Sequence, residues 1–220
     1  MNARFKPREE RALTRREVIV LVAVTAVLAM VLWPTLSQYR HSRRIRCVSN
    51  FKNIGLALRI FSTDHEGRFQ WQLSGTNGTK DLLRDPYEAW RHFAFISNEL
   101  SSPKIVRCPT DSERVTASDF SAFGPNNLSY FLGLLADDEE PKNLLGGDRN
   151  LTTNGFEVGP GLLLLGAKQT AGFTKKLHGD AGNILMADGS VQQVSSLRLQ
   201  EAVVDAAEAT TNTINRLLIP

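Results

Sequence analysis

A chain of 220 residues with 42% hydrophobic and 22% charged residues has the composition of a folded protein, which excludes a low-complexity chain. Its length, less one apolar run of 19 residues, suits one domain rather than two, with enough material to bury a core without metal or disulfide help. The net charge of +3 is carried by basic residues flanking that run, Arg4, Lys6, Arg8, Arg11, Arg15 and Arg16 before it and Arg40, Arg43, Arg44, Arg46 and Lys52 after it; no nucleic-acid motif accompanies them, so no nucleic-acid partner is expected.

Residues 1–12 are polar, basic and interrupted by Pro7, and they read as a short leader. Residues 18–36 carry no charge, and Thr25 and Thr35 are their only polar members. A run of this length predicts a transmembrane helix, since a helix satisfies its own backbone in lipid. The run is too long for the core of a cleaved secretory signal, and Trp33-Pro34-Thr35 closes it in place of small residues. Both flanks are basic, so charge alone does not orient the segment.

The helical pattern continues past Pro34, where a kink is expected. Ile45, Val48, Phe51, Ile54, Leu58 and Phe61 recur at three- and four-residue spacing and form one apolar stripe. Gly67 ends the pattern. The periodicity therefore predicts one long helix over residues 13–67, half in the membrane and half laid on a globular domain at 68–220. Cys47 flanks the stripe. It and Cys108 are the only cysteines, with no C-x-x-C and no Cys/His cluster, so a structural zinc site is not expected. Either they form one disulfide, which suits an extracytoplasmic domain, or they are two buried thiols.

Residues 70–80 carry loop chemistry. Asp85-Pro86 with Glu88 signals a helix start, with Trp90, Phe93, Ala94 and Ile96 as the apolar face and Ser101-Ser102-Pro103 as its end. Residues 105–108 predict a short strand, and Pro109-Thr110-Asp111 its turn. A Cys47–Cys108 bridge would staple that strand to the long helix. Strands are also predicted at 127–135, 144–151 and 162–166. The acidic cluster Asp137, Asp138, Glu139 and Glu140 matches no calcium-loop spacing and reads as a solvated turn. A final helix is predicted within 197–218, with Leu199, Val203, Ala206 and Ala207 as its stripe.

His178 stands nine residues before Asp188-Gly189. Residues 183–187 form an apolar strand, Asp188-Gly189 is a hairpin turn, and 190–194 returns as the partner strand. His178, Asp180 and Asp188 could be drawn as a catalytic or metal-binding set, but no nucleophile elbow or H-E-x-x-H accompanies them. The residues favour a structural hairpin, with no catalytic residue, metal or cofactor expected. Trp71 and Trp90 are the only support for a third reading, an anchored polysaccharide-binding module.

Ala12-Leu13-Thr14-Arg15-Arg16-Glu17, followed by an apolar helix, resembles the processing segment of type IV pilins and type II secretion pseudopilins. The resemblance implies cleavage by a prepilin peptidase between Ala12 and Leu13 and methylation of Leu13. It also makes Glu17 the fifth mature residue, which assists assembly, and places Pro34 where the family often has proline. Arg15 and Arg16 depart from the pattern. Arg43, Arg44, Cys47, Asn50, Lys52, Ile54, Gly55, Leu56 and Ala57 are similar to the post-membrane motif of pilin-like proteins from planctomycete and verrucomicrobial bacteria. The C-P-x-D element at Cys108–Asp111 and the H-x9-D-G spacing of His178, Asp188 and Gly189 resemble the same families. The resemblance implies an α+β pilin-like fold, a long N-terminal helix packed on an antiparallel sheet with extra helices. It implies a single-pass inner-membrane subunit with a cytoplasmic N-terminus and periplasmic domain. Such a subunit partners other pilin or pseudopilin subunits, or copies of itself, in protein secretion or a pilus-like assembly. The alternative is a membrane-anchored enzyme or ligand-binding domain using His178, Asp180 and Asp188.

Overall fold

The computed structural model describes residues 14–137, 140–209 and 214–220, and the backbone alone at 33–41. The leader at 1–12, the Ala12–Leu13 junction, and Asp138 and Glu139 of the acidic cluster lie outside the described residues. The chain divides into two units, Met1–Ser42 and Arg43–Pro220.

Helix α1 spans Arg15–Asp64. Its start is a reciprocal cap: the Thr14 amide and hydroxyl donate to Glu17 Oε2 at 2.7 and 3.0 Å, and the Glu17 amide donates back to Thr14 Oγ1 at 3.4 Å. This is the S/T-x-x-E capping box. In the first unit the large apolar side chains from 18 to 32 are uncovered, from 44% exposed at Val18 to 78% at Met30. Among the described residues no helix is long and apolar enough to cross a membrane. The run read at 18–36 extends into 33–41, and the expected Pro34 kink falls among those side chains.

In the second unit α1 buries Cys47, Phe51, Ile54, Ala57, Leu58 and Phe61. The predicted stripe is displaced at its start: Ile45 is exposed and Cys47 takes the inward position. The helix ends where Glu66 and Gly67 turn left-handed (φ 60° and 79°), and the Gly67 amide returns to the Ser62 carbonyl at 2.9 Å.

Three expected elements change. The helix expected from Asp85 begins later, as α2 (Ala89–Phe95) followed by α3 (Ser97–Leu100). Asp85 Oδ1 instead accepts the Tyr87 amide at 3.1 Å, a local turn that competes with helix. The strand expected at 105–108 is a 3₁₀ turn, Pro103–Val106. Ser102 caps it by accepting the Lys104 amide at 3.3 Å.

The main sheet contains β1 (Tyr130–Gly133), β2 (Leu144–Asp148), β5 (Gly161–Gly166), β7 (Ala181–Met186), β8 (Val191–Ser195) and β9 (Ile214–Ile219). Its spatial order is β5-β9-β1-β2-β7-β8, with every neighbour antiparallel. A second antiparallel sheet, in the order β4-β3-β6, joins β3 (Leu151–Thr153), β4 (Phe156–Glu157) and β6 (Ala171–Phe173). The protein is thus α+β with antiparallel sheets. β9 corrects the third expectation: α4 stops at Ala209 after starting at Ser196, and Ile214, Leu217 and Leu218 belong to a strand.

Successive strand residues point to opposite faces, so the main sheet has two cores. Tyr130, Leu132, Leu185 and Leu218 pack with Phe51, Ile54 and Leu58 of α1. Phe131, Ile184 and Leu217 pack with Leu199 and Val203 of α4. The first core also holds a buried imidazole, His92, whose Nδ1 meets Thr79 Oγ1 at 2.6 Å. Burial pushes its pKa down to about 4, against about 6.5 in an unfolded chain. Its stabilising effect is full above pH 6.5 and is lost as pH falls toward 4, up to about 3 kcal/mol. His92→Gln should flatten the stability–pH profile between 6.5 and 4 by that amount, read from urea midpoints; an unchanged slope would show that His92 charges freely in the fold.

Candidate functional site

Four distant segments converge beside α1. Cys47 comes from the helix's buried face. Cys108 follows the 3₁₀ turn at Pro103–Val106, Asp148 ends β2, and His178 precedes β7. The link from His178 to β7 is tight because Gly179 and Asp180 are both left-handed (φ 67° and 57°). Cys47 and Cys108 are joined as a disulfide with a Cα–Cα distance of 5.4 Å. Both are fully buried, and His178 nearly so.

His178 Nε2 lies 3.4 Å from Cys108 Sγ and 3.4 Å from Asp148 Oδ2. Thr110 Oγ1 is 2.9 Å from Cys108 Sγ and 3.5 Å from the His178 ring nitrogens. Asp148 Oδ2 accepts the Asn183 amide at 2.6 Å and its Nδ2 at 2.8 Å, while Oδ1 has no hydrogen-bond partner. Burial pushes the Asp148 carboxyl up to about 7, against the opposing pull of the two Asn183 bonds. Burial, aided by the Arg44 guanidinium, pushes His178 down to about 4. The neutral forms of both side chains are therefore favoured in this pocket.

The C-P-x-D element is fixed from behind. The Asp111 amide closes a turn on the Cys108 carbonyl at 2.9 Å. Its carboxylate takes Arg149 Nε at 2.8 Å and Nη2 at 3.0 Å, a bidentate pair. Arg149 adjoins Asp148 in sequence, so one β2 terminus holds Asp111 with its arginine and faces His178 with its aspartate. The motif around the hairpin is held at both ends by α1. Arg44 Nη2 donates to the His178 carbonyl, and Arg59 Nη1 donates to the Asp188 carbonyl at 2.8 Å. Those two arginines are separated by roughly 22 Å of helix at 1.5 Å per residue. Asp188 Oδ1 accepts the Ser190 amide at 2.8 Å, and Gly189 takes φ 82°, so both serve the turn.

His178, Asp180 and Asp188 differ in their settings. Asp180 and Asp188 are exposed, whereas buried His178 turns to Cys108, Thr110 and Asp148. Among the described residues, the group whose ligand atoms all lie within 4.8 Å is Cys47, Cys108 and His178, a Cys/His cluster that no local spacing displays. Asp148, Thr110, Asn183 and Arg149 carry the site without a sequence signal beyond a carboxylate closing an apolar strand. Trp71 is buried and donates Nε1–H to the Leu134 carbonyl at 3.1 Å, so it offers no sugar-binding face. Comparison of the chain with protein-family models, curated proteins and solved structures returns no match.

Proposed function

We propose that this chain is a pseudopilin-like subunit of a type II secretion or type IV pilus-like assembly, a structural rather than catalytic protein. Residues 18–36 anchor it in the inner membrane, the domain lies in the periplasm, and α1 packs against α1 of other pilin-like subunits or of its own copies. The observation that carries this reading is the division of α1. Its described residues 18–32 leave their large apolar side chains uncovered, while Cys47, Phe51, Ile54, Ala57, Leu58 and Phe61 bury theirs in the domain core. Apolar surface left open over such a length calls for lipid or a neighbouring helix. The buried disulfide agrees with an oxidising compartment.

Glu17 supports the same reading. Its carboxylate bends back to the Thr14 amide, which places a negative charge at the helix start for the α-amine of a neighbouring subunit to neutralise during assembly. The test is the mature N-terminus, by mass spectrometry of protein from its native membrane. A chain beginning at N-methylated Leu13 is expected. A chain beginning at Met1 or Asn2 overturns the processing and leaves Glu17 with its capping role alone.

A further inference from the structure

The buried cluster has the spacing of a metal site. With metal–sulfur bonds of about 2.3 Å and metal–nitrogen or metal–oxygen bonds of about 2.0–2.2 Å, a tetrahedral ion sets sulfur and nitrogen about 3.5 Å apart, and nitrogen and oxygen about 3.4 Å apart. Cys108 Sγ to His178 Nε2 is 3.4 Å, and His178 Nε2 to Asp148 Oδ2 is 3.4 Å. Cys47 brings its sulfur within 4.8 Å of the other two Cys/His ligand atoms. Asp148 is fully buried, yet its Oδ1 has no hydrogen-bond partner. A buried oxygen left so is costly, and a carboxyl that turns to present Oδ1 to a cation removes that cost.

Two sulfurs bonded to each other are not thiolates, so this ligand set exists only in the dithiol state. We propose that the dithiol form binds a thiophilic divalent cation of the zinc class through Cys47, Cys108 and His178, with Asp148, 3.4 Å from His178 Nε2 but outside that 4.8 Å group, turning in as the fourth ligand, making disulfide and metal alternative occupants of one site. A small dithiol reductant passes two electrons and two protons to the disulfide and becomes a disulfide itself. The Cys47 and Cys108 thiols and the Asp148 carboxyl then release their protons to water as the ion binds. His178 offers its neutral imidazole through Nε2, the nitrogen nearest Cys108 Sγ. Two thiolates, one imidazole and one carboxylate form a mixed soft and hard set that suits zinc over magnesium or calcium. The Arg44 guanidinium, held on the His178 carbonyl, offsets the negative charge of the loaded site.

The experiment uses the full chain in detergent, made in a reducing cytoplasm and kept in a phosphine, with free thiols counted and Co2+ as probe. A single tetrahedral cobalt per chain is expected, with a thiolate-to-cobalt charge-transfer band that Zn2+ abolishes. The oxidised protein and the Cys47→Ser/Cys108→Ser variant should lack the band. His178→Gln and Asp148→Asn should each weaken cobalt binding at least about tenfold. Three results overturn the proposal. One is a reduced chain whose cobalt spectrum equals that of the double serine variant. Another is a disulfide that survives the phosphine in the folded protein. The third is a dithiol form that unfolds and is not restored by cobalt.

Discussion

Gly133→Ala is expected to leave little or no folded protein. A Cβ built on Gly133 falls 1.7 Å from the Leu144 carbonyl oxygen and 2.7 Å from its carbon. Both are backbone atoms, so no side-chain rotation relieves the overlap. Strands β1 and β2 would have to separate, and β1 lies inside the main sheet between β9 and β2. Overpacking a core typically costs about 1–3 kcal/mol; here the obstacle is backbone on a central pair, so the loss should exceed about 3 kcal/mol, a large share of a domain's total stability. Gly159 provides the control, since nothing lies within 4 Å of a Cβ there, and Gly159→Ala should change stability by less than about 0.5 kcal/mol. Urea unfolding of the two variants beside wild type reads both numbers. A Gly133→Ala protein as stable as wild type would mean that β1 and β2 do not approach as described.

Breaking the Cys47–Cys108 bridge should cost about 4 kcal/mol. The bridge closes a loop of sequence separation 61, and in the chain-entropy description the gain grows with the logarithm of loop length. The sulfurs are also fully buried against His178 and Thr110, so a double serine variant adds two hydroxyls to an apolar setting. Cys47→Ala/Cys108→Ala avoids that second cost and isolates the cross-link. The urea midpoint of this variant should fall steeply while its m-value rises, because an unbridged unfolded chain exposes more surface. A midpoint within error of wild type would mean that the loop is already ordered without its staple.

Much of this architecture could be read from the residues before any coordinates. The α+β class with an antiparallel sheet is what the family resemblance implies, and the hairpin around Asp188-Gly189 follows from its turn chemistry. The long helix was legible through Phe51, Ile54, Leu58 and Phe61, which all bury as their spacing demands. The C-terminal strand was not legible. Ile214, Leu217 and Leu218 fit a helical stripe as well as a strand, and only pairing with β5 and β1, distant in sequence, decides between them. The small sheet is hidden because β3, β4 and β6 are two or three residues long, too short to display an alternating pattern. The site was half legible. Cys47 and Cys108 are legible as a candidate pair, and His178 only as the start of a hairpin. The approach of His178 to Asp148 depends on the β2–β7 register, Gly147 opposite Ile184, which brings Asp148 to Asn183 and His178. Ile45 misled because a stripe's phase cannot be fixed to one residue without knowing which surface it meets.

The covalent tie between Cys47 and Cys108 also governs how the chain carries load. Tension entering through α1 and leaving at the C-terminus crosses from Cys47 to Cys108 through sulfur, over a Cα–Cα span of 5.4 Å. The segment between the two cysteines is taken out of the force path. At roughly 3.3–3.6 Å per extended residue, about 200 Å of chain cannot be drawn out while the bridge stands. The last third of α1, with Phe51, Ile54 and Leu58, lies inside that shielded loop. A pull on the N-terminal helix therefore reaches the sheet without first peeling the helix from it.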